Sequence, residues 1–489
     1  MKLYRYLFLG CSIFTLLTSG CSGNNTGNEQ PEVSIQLIWD DVKQPIDGFG
    51  IAQAGWADEL YSHKNREKVM DEMFGPDGLR LNILRGEIFP HYWENSKDKD
   101  FNLADNLDID LDDPFFEGKS DDRLRRGQLW ITLLAKNKYH VDKLFFSAWS
   151  APAYMKTNGK VSQGELKPEC YQEYADYLAE FYKAYASVGL EPYALSPSNE
   201  PGYAAPWNSS LWTPEKMGEF ITRYLGPTFK RQQIPARIIF GENPLWSAVS
   251  SQANFASSLY FTNTILEKYP EITDFNLIAA GHGYTLPESL SPEKDSLRTP
   301  IVPLELAEKN NLPVWVTEIS DINPLDTTIN DGLKWANTFH AYLTDANVNA
   351  FVWWAGAMPT GNNESLIVLN PDRKGYSLTK RYETFGNYTR YITPGSQRIG
   401  TQLSQPTDSL LISAYKKEQT YTVVAINNSS RSILTGIQPT EVQVSGTLNS
   451  FLTDENNRWS PQNYTPDKNG RYVVTVPAKC VITFTGTVK

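Results

Sequence analysis

Short apolar segments alternate with amphipathic segments from residue 46 to residue 394. The apolar segments have the length of buried strands, and the longer segments between them repeat their apolar residues at helical spacing. The predicted strands are 46–50, 79–88, 143–149, 193–198, 236–240, 275–280, 313–316 and 349–354. The predicted helices are 65–74, 124–136, 171–185, 214–229, 251–269, 303–309 and 328–344.

Successive β/α units predict a parallel sheet, and eight of them predict a closed (β/α)8 TIM barrel of the α/β class. An open doubly wound sheet is the structural alternative. That fold carries a glycine-rich phosphate loop after its first strand, and Gly48-Phe49-Gly50-Ile51-Ala52 lacks the third glycine. The pattern therefore favours the barrel.

The pattern changes after the barrel to β-rich runs separated by Asn, Ser and Gly. Runs at 410–415, 421–426 and 472–476 predict a side antiparallel β-sandwich domain. The alternating run at 33–39 precedes the barrel, and we expect it to pair into this side domain. The predicted order is a signal at 1–21, a tether at 22–31, a side-domain strand at 32–45, the barrel at 46–394 and the side domain at 395–489.

The first 21 residues have the layout of a secretory signal. Lys2 and Arg5 precede an apolar run at 7–17, which is too short for a membrane span. Small residues before Cys21 resemble the bacterial lipobox, so we expect lipidation at Cys21, a secreted chain and a lipid anchor at the outer membrane. Thr18 stands where such signals more often carry Leu, which leaves plain secretion open.

The charge and the cysteine content of the chain limit which ligands and cofactors it is expected to bind. The formal net charge of −11 excludes nucleic acid, because binding to phosphates needs clustered Lys and Arg. No CxxC or Cys/His cluster is present, so we predict no metal and no cofactor. Cys170 and Cys480 remain outside the signal, and whether they pair is open. The acidic stretch at 91–122 fails the calcium-loop pattern and is interpreted as a solvated loop that disfavours anionic polysaccharides.

Barrel enzymes place their active sites at the carboxyl ends of the strands. The predicted strand ends supply a pair of carboxylates with hydrogen-bond donors and aromatic rings around them: Arg85, Trp149, Asn199, Glu200, His282, Tyr284, Glu318 and Trp354. Two carboxylates are the minimum equipment for cleaving a glycosidic bond. Because Trp353 and Trp354 are neighbours on one strand, only one of them can face the barrel axis, and we predict that it is Trp354.

Several stretches resemble glycoside hydrolase family 30, in the same order along the chain. They are Phe146-Ser147-Ala148-Trp149-Ser150-Ala151-Pro152-Ala153-Tyr154-Met155-Lys156, Ser198-Asn199-Glu200-Pro201, Val316-Thr317-Glu318, Val352-Trp353-Trp354 and Tyr388-Thr389-Arg390-Tyr391-Ile392-Thr393-Pro394-Gly395-Ser396. The resemblance implies a retaining O-glycosyl hydrolase with Glu200 as acid/base and Glu318 as nucleophile. Gly202 departs from the family, which commonly has Asp there.

The substrate stays open at this point. Parts of the chain resemble the xylanase branches and others the endo-β-1,6-galactanase branch, so xylan, β-1,6-galactan and β-1,6-glucan all remain candidates for a monomeric β-glycanase. The alternatives are a non-catalytic glycan-binding lipoprotein with the same fold and a glucosylceramidase-like exo-β-glycosidase.

Overall fold

The computed structural model describes residues 30–53, 57–90, 120–248, 251–284 and 300–489, without the side chains of 120–126 and 252. The predicted signal, lipidation site Cys21, most of the tether and most of the acidic loop lie outside these residues. Two sheets organise the described chain. One has ten strands and contains the barrel, and the other has nine strands and draws on both chain ends.

The barrel consists of eight parallel strands, β2 to β9, and closes because β9 pairs with both β8 and β2. Its interior is filled by an apolar layer that includes Ile83, Phe145, Trp315 and Val352. Two short strands, β10 and β11, extend the sheet beyond β9. The strand bounds are β2 Gly48–Ala52, β3 Ile83–Ile88, β4 Lys143–Ala148, β5 Ala194–Ser196, β6 Arg237–Leu245, β7 Leu277–Tyr284, β8 Val314–Glu318, β9 Ala350–Met358, β10 Ser365–Leu369 and β11 Tyr376–Leu378.

The helices pack around the barrel and bury their apolar faces against it. Their bounds are α1 Ala57–Tyr61, α2 Arg66–Phe74, α3 Ser120–Asn137, α4 Tyr171–Ala186, α5 Pro214–Phe220, α6 Gly226–Arg231, α7 Ser258–Lys268, α8 Glu305–Lys309, α9 Ile329–Thr344 and α10 Lys380–Thr389. The helix predicted at 214–229 is interrupted by a π turn at Ile221–Leu225. The helix predicted at 251–269 begins instead as a 3-10 segment at Ser251–Ala256.

The second sheet contains the N-terminal strand β1 and strands β12 to β19. As predicted, the run at 33–39 joins it, in β1 between β12 and β15. The pairing of β1 with β15 is parallel, so the sheet is mostly rather than wholly antiparallel. The bounds are β1 Val33–Pro45, β12 Gln397–Leu403, β13 Leu410–Lys417, β14 Thr420–Asn427, β15 Ile433–Pro439, β16 Val444–Thr453, β17 Ser460–Tyr464, β18 Tyr472–Val476 and β19 Cys480–Val488.

The second sheet is attached to the barrel through α10. Asn387 of α10 donates to Thr483 Oγ1 at 3.1 Å, and the indole of Trp459 donates to the Glu383 carbonyl at 2.7 Å. Cys170 and Cys480 are both free thiols, so the disulfide left open by the sequence does not form. Within the described ranges, no helix combines the length and the apolarity needed to span a bilayer.

Candidate active site

Arg85 lies at the centre of a polar cluster at the carboxyl end of the barrel. Its position two residues after Ile83 in β3 places both side chains on the barrel's inner face, with Ile83 in the apolar layer below. The buried guanidinium contacts the Glu318 carboxylate and donates to Asn199 Oδ1 at 2.6 Å and to Glu242 Oε1 at 3.1 Å. Although burial alone would lower the pKa of Arg85, the two carboxylates raise it above its ordinary value.

Glu242 is a site residue that the sequence analysis did not select. The register between β6 and β7 shifts between Gly241 and Asn243, which leaves Glu242 unpaired in a bulge with φ +40°. A bulge re-aims a side chain, and here it directs a fully buried carboxylate to Arg85. The other oxygen, Glu242 Oε2, accepts a hydrogen bond from Ser147 Oγ at 2.9 Å.

Glu200 lies in a tight turn four residues beyond the end of β5 at Ser196. Its φ of +46° is in the left-handed region, and its backbone N–H donates to the Glu242 carbonyl at 3.0 Å. The preceding amide, that of Asn199, donates to the Ala148 carbonyl at 2.7 Å, which ties the turn to the neighbouring strand β4. The Glu200 carboxyl is largely buried, with Oε1 at 3.1 Å from His282 Nδ1.

Glu318 is the last residue of β8, across the barrel from Glu200. Arg85 contacts one of its carboxylate oxygens, and the hydroxyl of Tyr284 donates to the other at 2.7 Å. Donors on both oxygens fix the orientation of the carboxylate. One oxygen of Glu200, one of Glu318 and a nitrogen of His282 all lie within 4.8 Å of one another.

The ionisable groups of the cluster differ in the direction in which their surroundings shift the pKa. Although burial alone would lower the pKa of His282, the carboxyls around it, Glu318 first, raise it to about 9. Burial alone would raise the pKa of Glu242, but the charge of Arg85 and the interaction with His282 lower it to about 2. Burial, the largest cause, and the charge of Glu318 raise the pKa of Glu200 against the opposing effect of His282. The Arg85 and His282 cations therefore face the Glu242 carboxylate, and Glu200 is the carboxyl of the cluster whose pKa is raised.

Two tryptophans form an aromatic wall beside this cluster. The indole of Trp149 lies over Arg85, 4.7 Å from its guanidinium carbon, and 6.0 Å from the ring of Trp354. Trp354 is half-buried and sits where the register between β9 and β2 shifts. Trp353 points away from the barrel axis and packs on Trp335 at 4.4 Å. The structure thus brings all eight strand-end residues selected from the sequence into one connected cluster.

Glu200, His282 and Glu318 are near enough to one another to be considered as metal ligands. Their other contacts argue against that use. Glu318 is already held by the Arg85 guanidinium, and the raised pKa of His282 keeps that ring protonated, so a divalent cation would meet two positive charges. The donor set fits a site for proton transfer and nucleophilic attack better than a metal site.

Comparison with known proteins identifies the family. Residues 33–368, more than half of the chain, match the profile described as O-Glycosyl hydrolase family 30. The chain belongs to this family. Its sequence is similar to that of Glucuronoxylanase XynC of Bacillus subtilis (strain 168), with 24% identity over 352 residues, which cover 70% of this chain and 73% of the relative. A family 30 member is a glycoside hydrolase, and the two-carboxyl cluster is consistent with that chemistry.

Solved structures share the fold of this family 30 chain. The catalytic domain of GH30 xylanase C from Talaromyces cellulolyticus superposes with a TM-score of 0.74 at 24% identity, over 93% of this chain and 100% of that one. The endo-beta1,6-glucanase BT3312 superposes with a TM-score of 0.67 at 20% identity, over 93% and 94% of the two chains. These likenesses support the barrel and its second sheet.

Two further buried groups of this family 30 site went unnoticed in the sequence. Glu87, two residues after Arg85 in β3, is buried, and burial raises its pKa to about 8 against the opposing effect of the Asn208 side chain. Lys156 donates to Ser150 Oγ at 3.0 Å and also contacts the Ser209 carbonyl. The alternation of side chains in β3 was the available signal for Glu87, whereas loop positions such as Lys156 have no such periodicity.

Gly202, the departure from the family pattern noted above, has a structural reason. A Cβ built on Gly202 would lie 1.7 Å from the Phe255 carbonyl oxygen and 2.6 Å from Asn243 Oδ1. The Gly202 amide donates to that same Asn243 oxygen at 2.9 Å. The segment after β6 therefore packs directly on the turn that carries Glu200, and a side chain at residue 202 has no space.

Proposed function

We propose that this chain is a retaining glycosidase that cleaves an uncharged β-linked polysaccharide by double displacement. In this proposal Glu318 is the nucleophile and Glu200 is the acid/base. The observation that supports it most directly is that carboxyl oxygens of these two residues lie within 4.8 Å. Retaining enzymes hold their carboxyls about 5–5.5 Å apart, whereas inverting enzymes need about 6.5–9.5 Å to admit a water.

In the first step, a carboxylate oxygen of Glu318 attacks the anomeric carbon of the sugar. The glycosidic C–O bond breaks, and Glu200 donates its proton to the departing oxygen, so that the leaving chain departs as an alcohol. The product on the enzyme is an ester between the sugar and Glu318. Arg85 and Tyr284 hold the attacking carboxylate in place before this step.

In the second step Glu200 acts as a base instead of an acid. Forming the ester removes the negative charge of Glu318, and that charge is one cause of the raised pKa of Glu200. The pKa of Glu200 therefore falls, and its carboxylate accepts a proton from an incoming water. The water oxygen attacks the anomeric carbon, the ester bond breaks, and Glu318 leaves as a carboxylate with Glu200 protonated again.

The proposal of an uncharged substrate rests on the state of Arg85. A uronate would need a free cation, but this guanidinium is buried and already engaged by Glu242, Glu318 and Asn199. The relatives carry the names glucuronoxylanase, xylanase and endo-beta1,6-glucanase. Xylan, β-1,6-glucan and β-1,6-galactan are accordingly the substrates to test, and endo cleavage is our preferred mode.

The test combines a substrate panel with two variants. Wild-type protein should release oligosaccharides from at least one of the three glycans, and proton NMR should show the β-anomer forming first. Glu200→Gln and Glu318→Gln should each lose at least about 10³-fold in kcat. Near wild-type hydrolysis by either variant would disprove the assignment. Binding without hydrolysis would favour the glycan-binding alternative, and release of glucose from glucosylceramide alone would favour the exo-glycosidase alternative.

We also propose that the mature chain is secreted and anchored to the outer membrane through lipid on Cys21. This proposal rests on the sequence features of residues 1–21. Labelled palmitate should be incorporated by the wild-type chain expressed in a Gram-negative host and not by Cys21→Ala. Equal labelling of both would disprove it, and release of unlabelled wild type into the medium would indicate plain secretion.

A further inference from the structure

Three large aromatic side chains beside the Glu200 turn are exposed to solvent. Tyr203 is 41% exposed, Trp207 is 54% exposed and Phe255 is 62% exposed. The Tyr203 and Trp207 rings lie 6.1 Å apart at 66°. Large rings are usually buried or partnered, and an exposed cluster of them marks a binding surface. Neither the catalytic steps above nor the family match assigns these rings a role.

All three residues belong to the segments that hold Glu200. The amide of Tyr203 donates to the Glu200 carbonyl at 2.8 Å. The backbone of Phe255 packs on Gly202, within the turn itself. The three rings, which we name the aromatic platform, are therefore carried by segments whose backbones adjoin the turn of the proposed acid/base.

The loop that carries Trp207 is itself held in place. Ser209 Oγ donates to the Ala205 carbonyl at 2.9 Å, and the buried ammonium of Lys156 contacts the Ser209 carbonyl. Asn208 forms a backbone bridge with Ser162 of the loop after β4. A loop whose backbone is already held in place loses little conformational entropy when a ligand binds to it.

The topology decides which part of a substrate would meet the aromatic platform. Glu318 ends β8 and Glu200 follows β5, so the reacting sugar lies between them. The departing oxygen lies on the side of Glu200, because Glu200 protonates it. The platform is built on the loops after β5 and β6, which are the Glu200 loop and the loop of its neighbouring strand.

We propose that the aromatic platform binds the sugar rings on the leaving-group side of the cleaved bond of an uncharged β-glycan. This inference rests on the proposed function and specifies its substrate as one with sugar on that side. The apolar face of a pyranose matches an indole or phenyl face, and its hydroxyls need polar groups at the rim. Asn208, which follows Trp207 and is half-buried, is a polar neighbour of this kind. Separate rings with polar neighbours fit a sugar chain better than a lipid tail, which needs a continuous apolar groove.

The first experiment measures binding without hydrolysis. Trp207→Ala and Phe255→Ala are introduced together into Glu318→Gln, and the proteins are run in native gels containing xylan, β-1,6-glucan or β-1,6-galactan. Val42→Ala in the same background is the control, because Val42 is also exposed, at 42%, but lies in β1 of the second sheet. We expect at least one glycan to retard Glu318→Gln and the control. The protein that also carries Trp207→Ala and Phe255→Ala, the platform variant, should bind that glycan with a dissociation constant about tenfold higher.

The second experiment compares substrates in an otherwise wild-type chain. The platform variant should lose about tenfold more in kcat/KM on the polysaccharide than on a p-nitrophenyl β-glycoside, which has no sugar on the leaving-group side. An equal loss on both substrates would overturn the platform, as would equal retardation of variant and control or no retardation by any glycan. A selective loss on glucosylceramide would indicate a lipid instead and also overturn it. Glycan-dependent retardation that the platform variant loses, without hydrolysis by the wild type, would refute the proposed function and with it the leaving-group assignment, and would show that the three rings bind glycan without cleavage.

Discussion

Glu242 Oε1 lies 3.1 Å from Arg85 Nη2, and neither side chain is exposed to solvent. This ion pair sits beneath the two carboxyls that we assign to catalysis. Arg85 also contacts Glu318, so Glu242 and the proposed nucleophile interact with the same guanidinium. The charge on Glu242 therefore affects how strongly Arg85 stabilises the Glu318 carboxylate. The bulge at Glu242 is therefore as much a part of the site as the strand ends.

Glu242→Gln should destabilise the fold and impair the site together. The Glu242 carboxylate pairs with Arg85 and helps to raise the pKa of His282, and the substitution removes its charge. Breaking a buried pair by removing one partner costs about 3–5 kcal/mol, which urea denaturation would measure as a lower free energy of unfolding. Glu305→Gln is the matched control, because its pair with Lys309 is exposed and is expected to contribute about 0.5 kcal/mol or less. Similar losses for both variants would contradict this account.

The pKa of Glu200 should fall when Glu318 loses its charge. Burial is the main cause of its raised pKa, and the charge of Glu318 adds to it. Carbon-13 NMR of labelled glutamate should show Glu200 titrating at lower pH in Glu318→Gln than in the wild type. In the wild type, kcat/KM on a substrate with a poor leaving group should fall as pH rises through the pKa of Glu200, since the protonated form is the acid.

A 2,4-dinitrophenyl glycoside is the control for this pH effect, because its leaving group departs without a proton. Its alkaline loss of rate should be smaller than that of the poor substrate. An unchanged titration of Glu200 in Glu318→Gln would contradict the coupling between the two carboxyls.

Gly202→Ala should disturb the turn that carries Glu200. The new methyl would lie 1.7 Å from the Phe255 carbonyl oxygen, and that oxygen belongs to the backbone and cannot rotate away. Overpacking of this kind costs about 1–3 kcal/mol, and we expect a lower midpoint of thermal unfolding with a reduced kcat. Gly361→Ala is the control, since a Cβ there meets nothing within 4 Å. A wild-type midpoint and kcat for Gly202→Ala would show that the Gly202 turn and the Phe255 segment are not packed against each other.

Lys156→Met should change how stability depends on pH. Burial lowers the pKa of Lys156 to about 7, whereas an unfolded lysine titrates near 10.5. Between these values the unfolded chain binds the extra proton, so this residue makes the free energy of unfolding rise with pH. The wild-type value minus the Lys156→Met value should therefore increase from pH 7 to pH 10, measured by urea denaturation.

Lys160→Met is the control for that comparison, because Lys160 is an exposed residue of the same loop. Its difference from wild type should stay constant over the same pH range. A constant difference for Lys156→Met as well would mean that Lys156 is solvated in solution.

The apolar pattern was sufficient to predict the barrel, because strand and helix periods are local properties of the chain. It also placed Glu200 and Glu318 at strand ends, where the carboxyl ends of parallel strands converge whatever the loops do. The side-domain strand at 33–39 was predictable for the same reason, since it alternates without a helical partner.

Tertiary structure decided what depends on register and on distant contacts. Glu242 sits at a register shift, and the bulge that aims it at Arg85 arises from the pairing of β6 with β7 rather than from its own neighbours. The parallel pairing of β1 with β15 and the packing of Gly202 against Phe255 both join residues far apart in the chain. Whether Cys170 and Cys480 meet is likewise decided by the fold, which leaves both thiols free. Sequence periodicity determines the local secondary structure, whereas only tertiary packing determines which charged side chains contact one another.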